Sequence, residues 1–117
     1  MRVLLVDDEE ELVTALAERL SYRGIEADWS TSGSEALELA EVNTYDIAVL
    51  DVKMPNFSGI ELKRRLEKTR PGMKYIFLTG HGSEEDFRAG SAEASRYLVK
   101  PLDIDSLIET MRQVVGP

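Results

Sequence analysis

The chain has 117 residues, a formal net charge of -8 and no cysteine. That charge argues against direct binding of nucleic acid, whose phosphate backbone recruits basic patches, and the missing thiols exclude disulfides, thiolate nucleophiles and Cys-ligated metals. Hydrophobic residues make up 43%, enough for a core. No run approaches the ~20 apolar residues of a membrane span, and the start MRVLLVDDE lacks the apolar region of a secretion signal, so the expectation is one cytoplasmic domain, 1–117, without membrane contact.

The first element is a strand at VLLV (3–6), a continuous apolar run of the kind buried on both faces of a sheet. It runs directly into five acids, Asp7 to Glu11. A first helix follows, with Leu12, Leu16 and Leu20 at i, i+4 and i+8, and Gly24 suits its C-terminus. IEADWST (25–31) is more polar and reads as an edge strand. Ser32 and Glu35 fit a capping box that opens a second helix, striped by Leu37 and Ala40. IAVL (47–50) is the third strand. Ser58 and Glu61 form another capping box, and the helix they open is anchored by Ile60 and Leu66, with Leu62 nearer its edge. Pro71-Gly72 marks a turn before the fourth strand, YIFL (75–78). Ser83 caps a fourth helix starting near 84, and YLV (97–99) is the fifth strand. Asp103 caps the last helix, in which Ile104, Leu107, Ile108, Met111 and Val115 share one face.

Strand–helix alternation with strands this apolar implies an α/β fold: a doubly wound (βα)5, five-stranded parallel sheet, covered on both faces. In the flavodoxin-like order 2-1-3-4-5, strands 1 and 3 flank the topological switch point, where ligands bind at the carboxyl ends of the strands.

The residues that follow the strands carry the chemistry. Asp7 and Asp8 follow the first, Asp51 the third, Thr79 and Gly80 the fourth, Lys100 and Pro101 the fifth. Two like charges at ~4 Å repel by about 4 kcal/mol at an effective dielectric near 20. Such a site must protonate, splay or bind a cation. All candidate ligands are oxygens, which suits Mg²⁺ with open positions left for a phosphoryl oxygen. Asp51 can act as a nucleophile and Lys100 as a point charge for the phosphoryl group. Thr79 offers a hydroxyl donor. Plainer readings stand beside these. Asp8 can cap the first helix with Glu11, Lys100 can be a surface lysine, and Tyr97 a core residue. Glu9 to Glu11 read as a solvated helix start, and Trp29 as a partly buried packing residue.

With those residues in place, the chain closely resembles the CheY-like receiver domains of two-component response regulators. The marks are VDDE (6–9), DVKMPNFSG (51–59), LTGHG (78–82) and YLVKPLDIDSL (97–107), and the resemblance spans essentially the whole chain. It implies that Asp51 is the phosphoacceptor, charged by a sensor histidine kinase or phosphotransfer protein. It implies Mg²⁺ held by Asp8, Asp51 and the backbone carbonyl of Lys53, with Asp7 acting through water. Lys100 resembles the phosphate-binding lysine, followed by a cis bond to Pro101. Thr79 and Tyr97 resemble the switch pair that shifts the face made by the fourth helix, fifth strand and fifth helix, often causing dimerisation. Lys53 and His81 occupy positions that tune phosphoryl lifetime. Family members commonly carry a Gly-Ala pair before the Tyr-Leu-x-Lys-Pro run. AGSAEASRYLVKP (89–101) lacks that glycine and is one residue short, which implies a shortened fourth helix or exit loop. Two other readings differ in class. An aspartyl-nucleophile hydrolase would carry a second acid at the position of Lys53. A degenerate receiver, acting only as an interaction module, would lack Asp51, Thr79 or Lys100.

Overall fold

Alternate residues of a strand face opposite sides of its sheet, so a continuous apolar run needs a cover on each side. The computed structural model, which describes residues 1–56, 58–80 and 96–116, supplies both covers. Its elements are β1 (Arg2–Val6), α1 (Glu10–Tyr22), β2 (Glu26–Ser30), α2 (Gly33–Val42), β3 (Ile47–Asp51), α3 (Gly59–Thr69), β4 (Lys74–Thr79), β5 (Arg96–Val99) and a C-terminal helix (Ile104–Val115). The five strands are parallel in the order β2-β1-β3-β4-β5, as the apolar runs imply. The expected fourth helix with its Ser83 cap, His81 and the atypical stretch up to residue 95 lie outside the described residues.

Leu4, Val6, Ala48, Leu50, Tyr75 and Phe77 point to one face and pack with Ala36 and Ala40 of α2 and Leu62 and Leu66 of α3. Val3, Leu5, Ile47, Val49, Ile76 and Leu78 point to the other, under Val13, Leu16 and Leu20 of α1 and Leu107, Ile108 and Met111 of the C-terminal helix. All five residues of β3 are buried. β2 has a neighbour on one side only. Its Trp29, at the sheet margin, is 37% exposed and so partly buried, as expected of it.

Two of the expected helix stripes shift. In α3 the fully buried pair is Leu62 and Leu66, and Ile60 is only half-buried. At about 100° per residue, Ile60 and Leu66 lie far apart around the helix, whereas positions i and i+4 share a face. By the same spacing α2 buries Ala36 with Ala40, leaving Leu37 partly buried.

The helix ends follow local chemistry. Ser32 Oγ accepts the Glu35 N–H and Ser58 Oγ the Glu61 N–H, both at 3.2 Å. Asp103 accepts from the N–H of Ser106 at 3.1 Å and from its hydroxyl at 2.9 Å. α1 stops at Gly24, whose φ of 76° is left-handed. The Gly24 N–H reaches Ser21 O and the Ile25 N–H reaches Leu20 O, both at 3.0 Å, so two terminal carbonyls are satisfied as β2 begins.

Truncating Leu62 to alanine should lower the unfolding free energy by about 2–5 kcal/mol, the usual cost of emptying a buried leucine site. Ile60→Ala should cost less than half as much; urea titrations of both variants against the parent measure the difference.

Candidate functional site

The sheet ladder runs past the carboxyl ends of the strands and positions the polar residues there. The Asp7 N–H donates to Ser30 O at 3.2 Å, the Val52 N–H to Leu78 O at 2.9 Å, and the Lys100 N–H to Thr79 O at 2.8 Å. Asp7 therefore leaves β1 beside the end of β2. Asp51 ends β3 opposite Leu78, and Lys100 leaves β5 beside Thr79. The Lys100-Pro101 bond is cis.

Carboxylate oxygens of Asp7, Asp8 and Asp51 lie within 4.8 Å of one another. Asp7 and Asp51 are buried, at 1% and 4% exposure, while Asp8 is open to solvent. Lys100 Nζ lies 2.7 Å from Asp7 Oδ2, 2.9 Å from Glu9 Oε1 and 3.7 Å from Asp51 Oδ1. Asp7 Oδ1 in turn accepts the Glu9 N–H at 2.9 Å.

This geometry separates the roles of the leading acids. α1 is capped in sequence by Glu9, not Asp8, and the Glu9 side chain makes no capping hydrogen bond. Asp8 joins the carboxylate cluster instead. Glu9, expected to be part of a solvated helix start, places its carboxylate on Lys100. Nothing in the local spacing signals this contact, because the two residues are 91 positions apart.

Gly59 packs directly behind Asp51. Its N–H donates to Val52 O at 2.9 Å, and a Cβ there would overlap the Asp51 carbonyl. Thr79 is fully buried, and its hydroxyl donates to Leu98 O at a long 3.5 Å. Tyr97 is 44% exposed, so the core reading of that residue does not hold. Lys53 is exposed two residues beyond Asp51.

Burial, and then the Asp7 charge, push the Asp51 carboxyl up to about 7 against the pull of Lys100. Burial also raises Asp7, against its bonds to Lys100 and the Glu9 N–H. For Lys100 burial works against the ammonium, but the hydrogen bonds to Asp7 and Glu9 outweigh it, and the group is held above its ordinary value. Among the described residues, the three clustered acids and Glu9 outnumber the Lys100 ammonium, an excess of negative charge that a divalent cation would offset. The donor set is all oxygen, which suits a hard cation such as Mg²⁺ that takes one or two carboxylates and keeps several waters.

The model of the response regulator receiver domain family matches residues 3–112. The response regulator MprA of Mycobacterium sp. (strain KMS) is 35% identical over 116 residues, covering 98% of this chain and 50% of MprA. The chain thus spans about half the length of the curated relatives it matches. A CheY-like receiver domain protein from Methanospirillum hungatei superposes with a TM-score of 0.85 at 32% identity, covering 96% of this chain and 90% of that one. TrrA of Thermotoga maritima, solved in complex with Mg²⁺ and BeF, gives 0.82 at 34% identity, with 96% of each chain covered.

A carboxyl raised in the folded state binds its proton more tightly than in the unfolded chain. Its contribution to stability is present below the unfolded value of 3.8 and is lost as pH rises through about 7. Without divalent cations, the melting temperature of the wild type should fall across that window relative to Asp51→Asn. Adding Mg²⁺ at pH 8 should recover the loss in the wild type and have little effect on the variant, as read by thermal melts in chelator and in Mg²⁺.

Proposed function

The chain belongs to the response regulator receiver domain family, and from that we propose that it is a phosphorylation-driven switch with Asp51 as phosphoacceptor. The observation that carries this reading is the meeting of Asp7, Asp8, Asp51 and Lys100 at one sheet edge. The donor is a phosphohistidine on a sensor kinase or phosphotransfer protein. An Asp51 carboxylate oxygen attacks phosphorus, the P–N bond breaks, and the imidazole leaves with the bonding electron pair. The product is an aspartyl-phosphate. Lys100 turns its ammonium toward a phosphoryl oxygen as a point charge.

Asp8, Asp51 and the Lys53 carbonyl, with Asp7 through water, are the groups that would hold Mg²⁺. When bound, Mg²⁺ supplies positive charge at the transferring phosphoryl group. Support comes from the all-oxygen donor set and from TrrA, which carries Mg²⁺ with BeF. Asp51 must be ionised to attack, and a divalent cation beside it would favour the charged form against the burial that raises its carboxyl.

Thr79 and Tyr97 form the switch. A buried Thr79 hydroxyl bonded at long range to Leu98 O, with an exposed Tyr97, fits a resting state. Phosphorylation would draw the hydroxyl toward Asp51 and let Tyr97 turn inward, a shift between two populations. The face carrying the response is the fourth helix, β5 and the C-terminal helix. Its output is a further domain, a partner or a second copy of the chain. The reading takes 1–117 as one receiver domain acting in the cytoplasm. Lys53 and His81 set the phosphoryl lifetime, and enzymatic activity is confined to autocatalytic transfer and loss of the phosphoryl group. A hydrolase is disfavoured because Lys53 stands where a general acid would be needed. A degenerate receiver is disfavoured because Asp51, Thr79 and Lys100 are all present.

Incubation with phosphoramidate or acetyl phosphate and Mg²⁺ should add one phosphoryl group by intact mass, and Asp51→Asn should abolish it. Absence of the adduct from the wild type, with no spectral response to beryllofluoride, would remove the reading. Thr79→Ala should keep the adduct while losing the beryllofluoride-induced NMR shifts in the C-terminal helix.

A further inference from the structure

Lys100 is held by more than the buried site needs. Its ammonium has three protons to donate, and the two short contacts go to Asp7 and Glu9, at 2.7 and 2.9 Å. The Asp51 contact, at 3.7 Å, is an ion pair beyond hydrogen-bond length. The first two contacts close a ring, because Asp7 accepts from the Glu9 N–H through its other oxygen. The partners differ in how easily they can let go. The Asp7 side chain is 1% exposed and cannot exchange Lys100 for water without leaving a buried charge unpaired. The Glu9 side chain is 63% exposed, so water can replace Lys100 there at small cost. The Glu9 side chain also makes no cap for α1.

We propose that Glu9 is a positioning residue that detains Lys100 away from Asp51 and must release it before Lys100 can bind the phosphoryl group. The inference rests on the phosphoacceptor reading of Asp51. Neither composition nor the resemblance assigns Glu9 a part in the reaction. The transfer itself is unchanged: bond making and breaking occur at Asp51, and Glu9 acts only through the ammonium. Removing the Glu9 charge should speed adduct formation by about two- to fivefold, the range expected for loss of an exposed ion pair.

The test compares wild type, Glu9→Gln and Glu10→Gln, each with phosphoramidate and with acetyl phosphate in Mg²⁺. Glu10 is a neighbouring acid in the first turn of the same helix and serves as the control for charge alone. A gain confined to Glu9→Gln, and similar with both donors, supports the detaining contact. An equal gain in Glu10→Gln overturns it in favour of general repulsion of anionic donors. Wild-type rates, or slower ones, in Glu9→Gln overturn it while leaving the Asp51 reading intact. No adduct on the wild type overturns both.

Lysine-selective NMR provides a readout independent of turnover. The Lys100 side-chain signal, assigned by its loss in Lys100→Gln, should differ between unphosphorylated wild type and Glu9→Gln. With beryllofluoride and Mg²⁺ the two should converge, because Glu9 has then been released. A Lys100 signal indifferent to Glu9→Gln in the unphosphorylated protein would overturn the contact itself.

Discussion

The rest of the site depends on the repulsion among Asp7, Asp8 and Asp51. Three carboxylates lie within 4.8 Å, and the Lys100 ammonium reaches into the cluster. Water cannot relieve the strain at two of them, since Asp7 and Asp51 are buried. Nor can they splay apart, because each directly continues a fully packed strand: Val6 is 1% exposed and Leu50 is not exposed at all. The core on both faces of the sheet therefore holds the acids in place. Proton binding by Asp51, ion pairing by Lys100 and affinity for a divalent cation are three responses to the same confined charge.

The two ends of the sheet handle charge differently. Toward the amino end Arg2 is shared by several acids, its guanidinium pairing with Glu26 at 3.6 Å and Asp28 at 3.4 Å. Asp46 accepts the Arg2 N–H at 2.7 Å, Asp28 accepts the Tyr45 hydroxyl at 2.7 Å, and the Arg2 guanidinium stacks 5.3 Å from the Tyr45 ring. Those pairs are consistent with a structural role. At the carboxyl end the clustered acids outnumber the Lys100 ammonium among the described residues, and the lack of a Cβ on Gly59 lets the start of α3 pack against the Asp51 carbonyl. The contrast follows from parallel strands: all five deliver their following residues to one edge, where crossover loops rather than core surround them.

Much of this was legible in the order of residues. Apolar runs of four residues separated by amphipathic stretches specify buried parallel strands, because only two-sided burial makes every position apolar. The acids after two strands and the lysine after the last one point to a single edge once the sheet order is granted. Ser32, Ser58 and Asp103 announce helix starts because capping is a contact over three residues. One miss was local: Leu62 and Leu66 stand at i and i+4 on the face that joins Tyr75 and Phe77, and Ile60 does not. The miss at Glu9 was not, since its contact with Lys100 spans 91 positions.

The order of residues by itself indicated the described strands and helices, the parallel sheet and the gathering of Asp7, Asp8, Asp51 and Lys100 at one sheet edge, because periodicity and strand-end chemistry act over short range. Only the tertiary structure decided how those charges are shared. It buries Asp7 and leaves Asp8 open, places Lys100 nearer Asp7 than Asp51, and turns Glu9 from a helix-start acid into a partner of that lysine. Such distinctions arise from distances of a few ångströms between residues 91 positions apart. A charge set along a chain states what must be balanced; the packed sheet decides which group does the balancing.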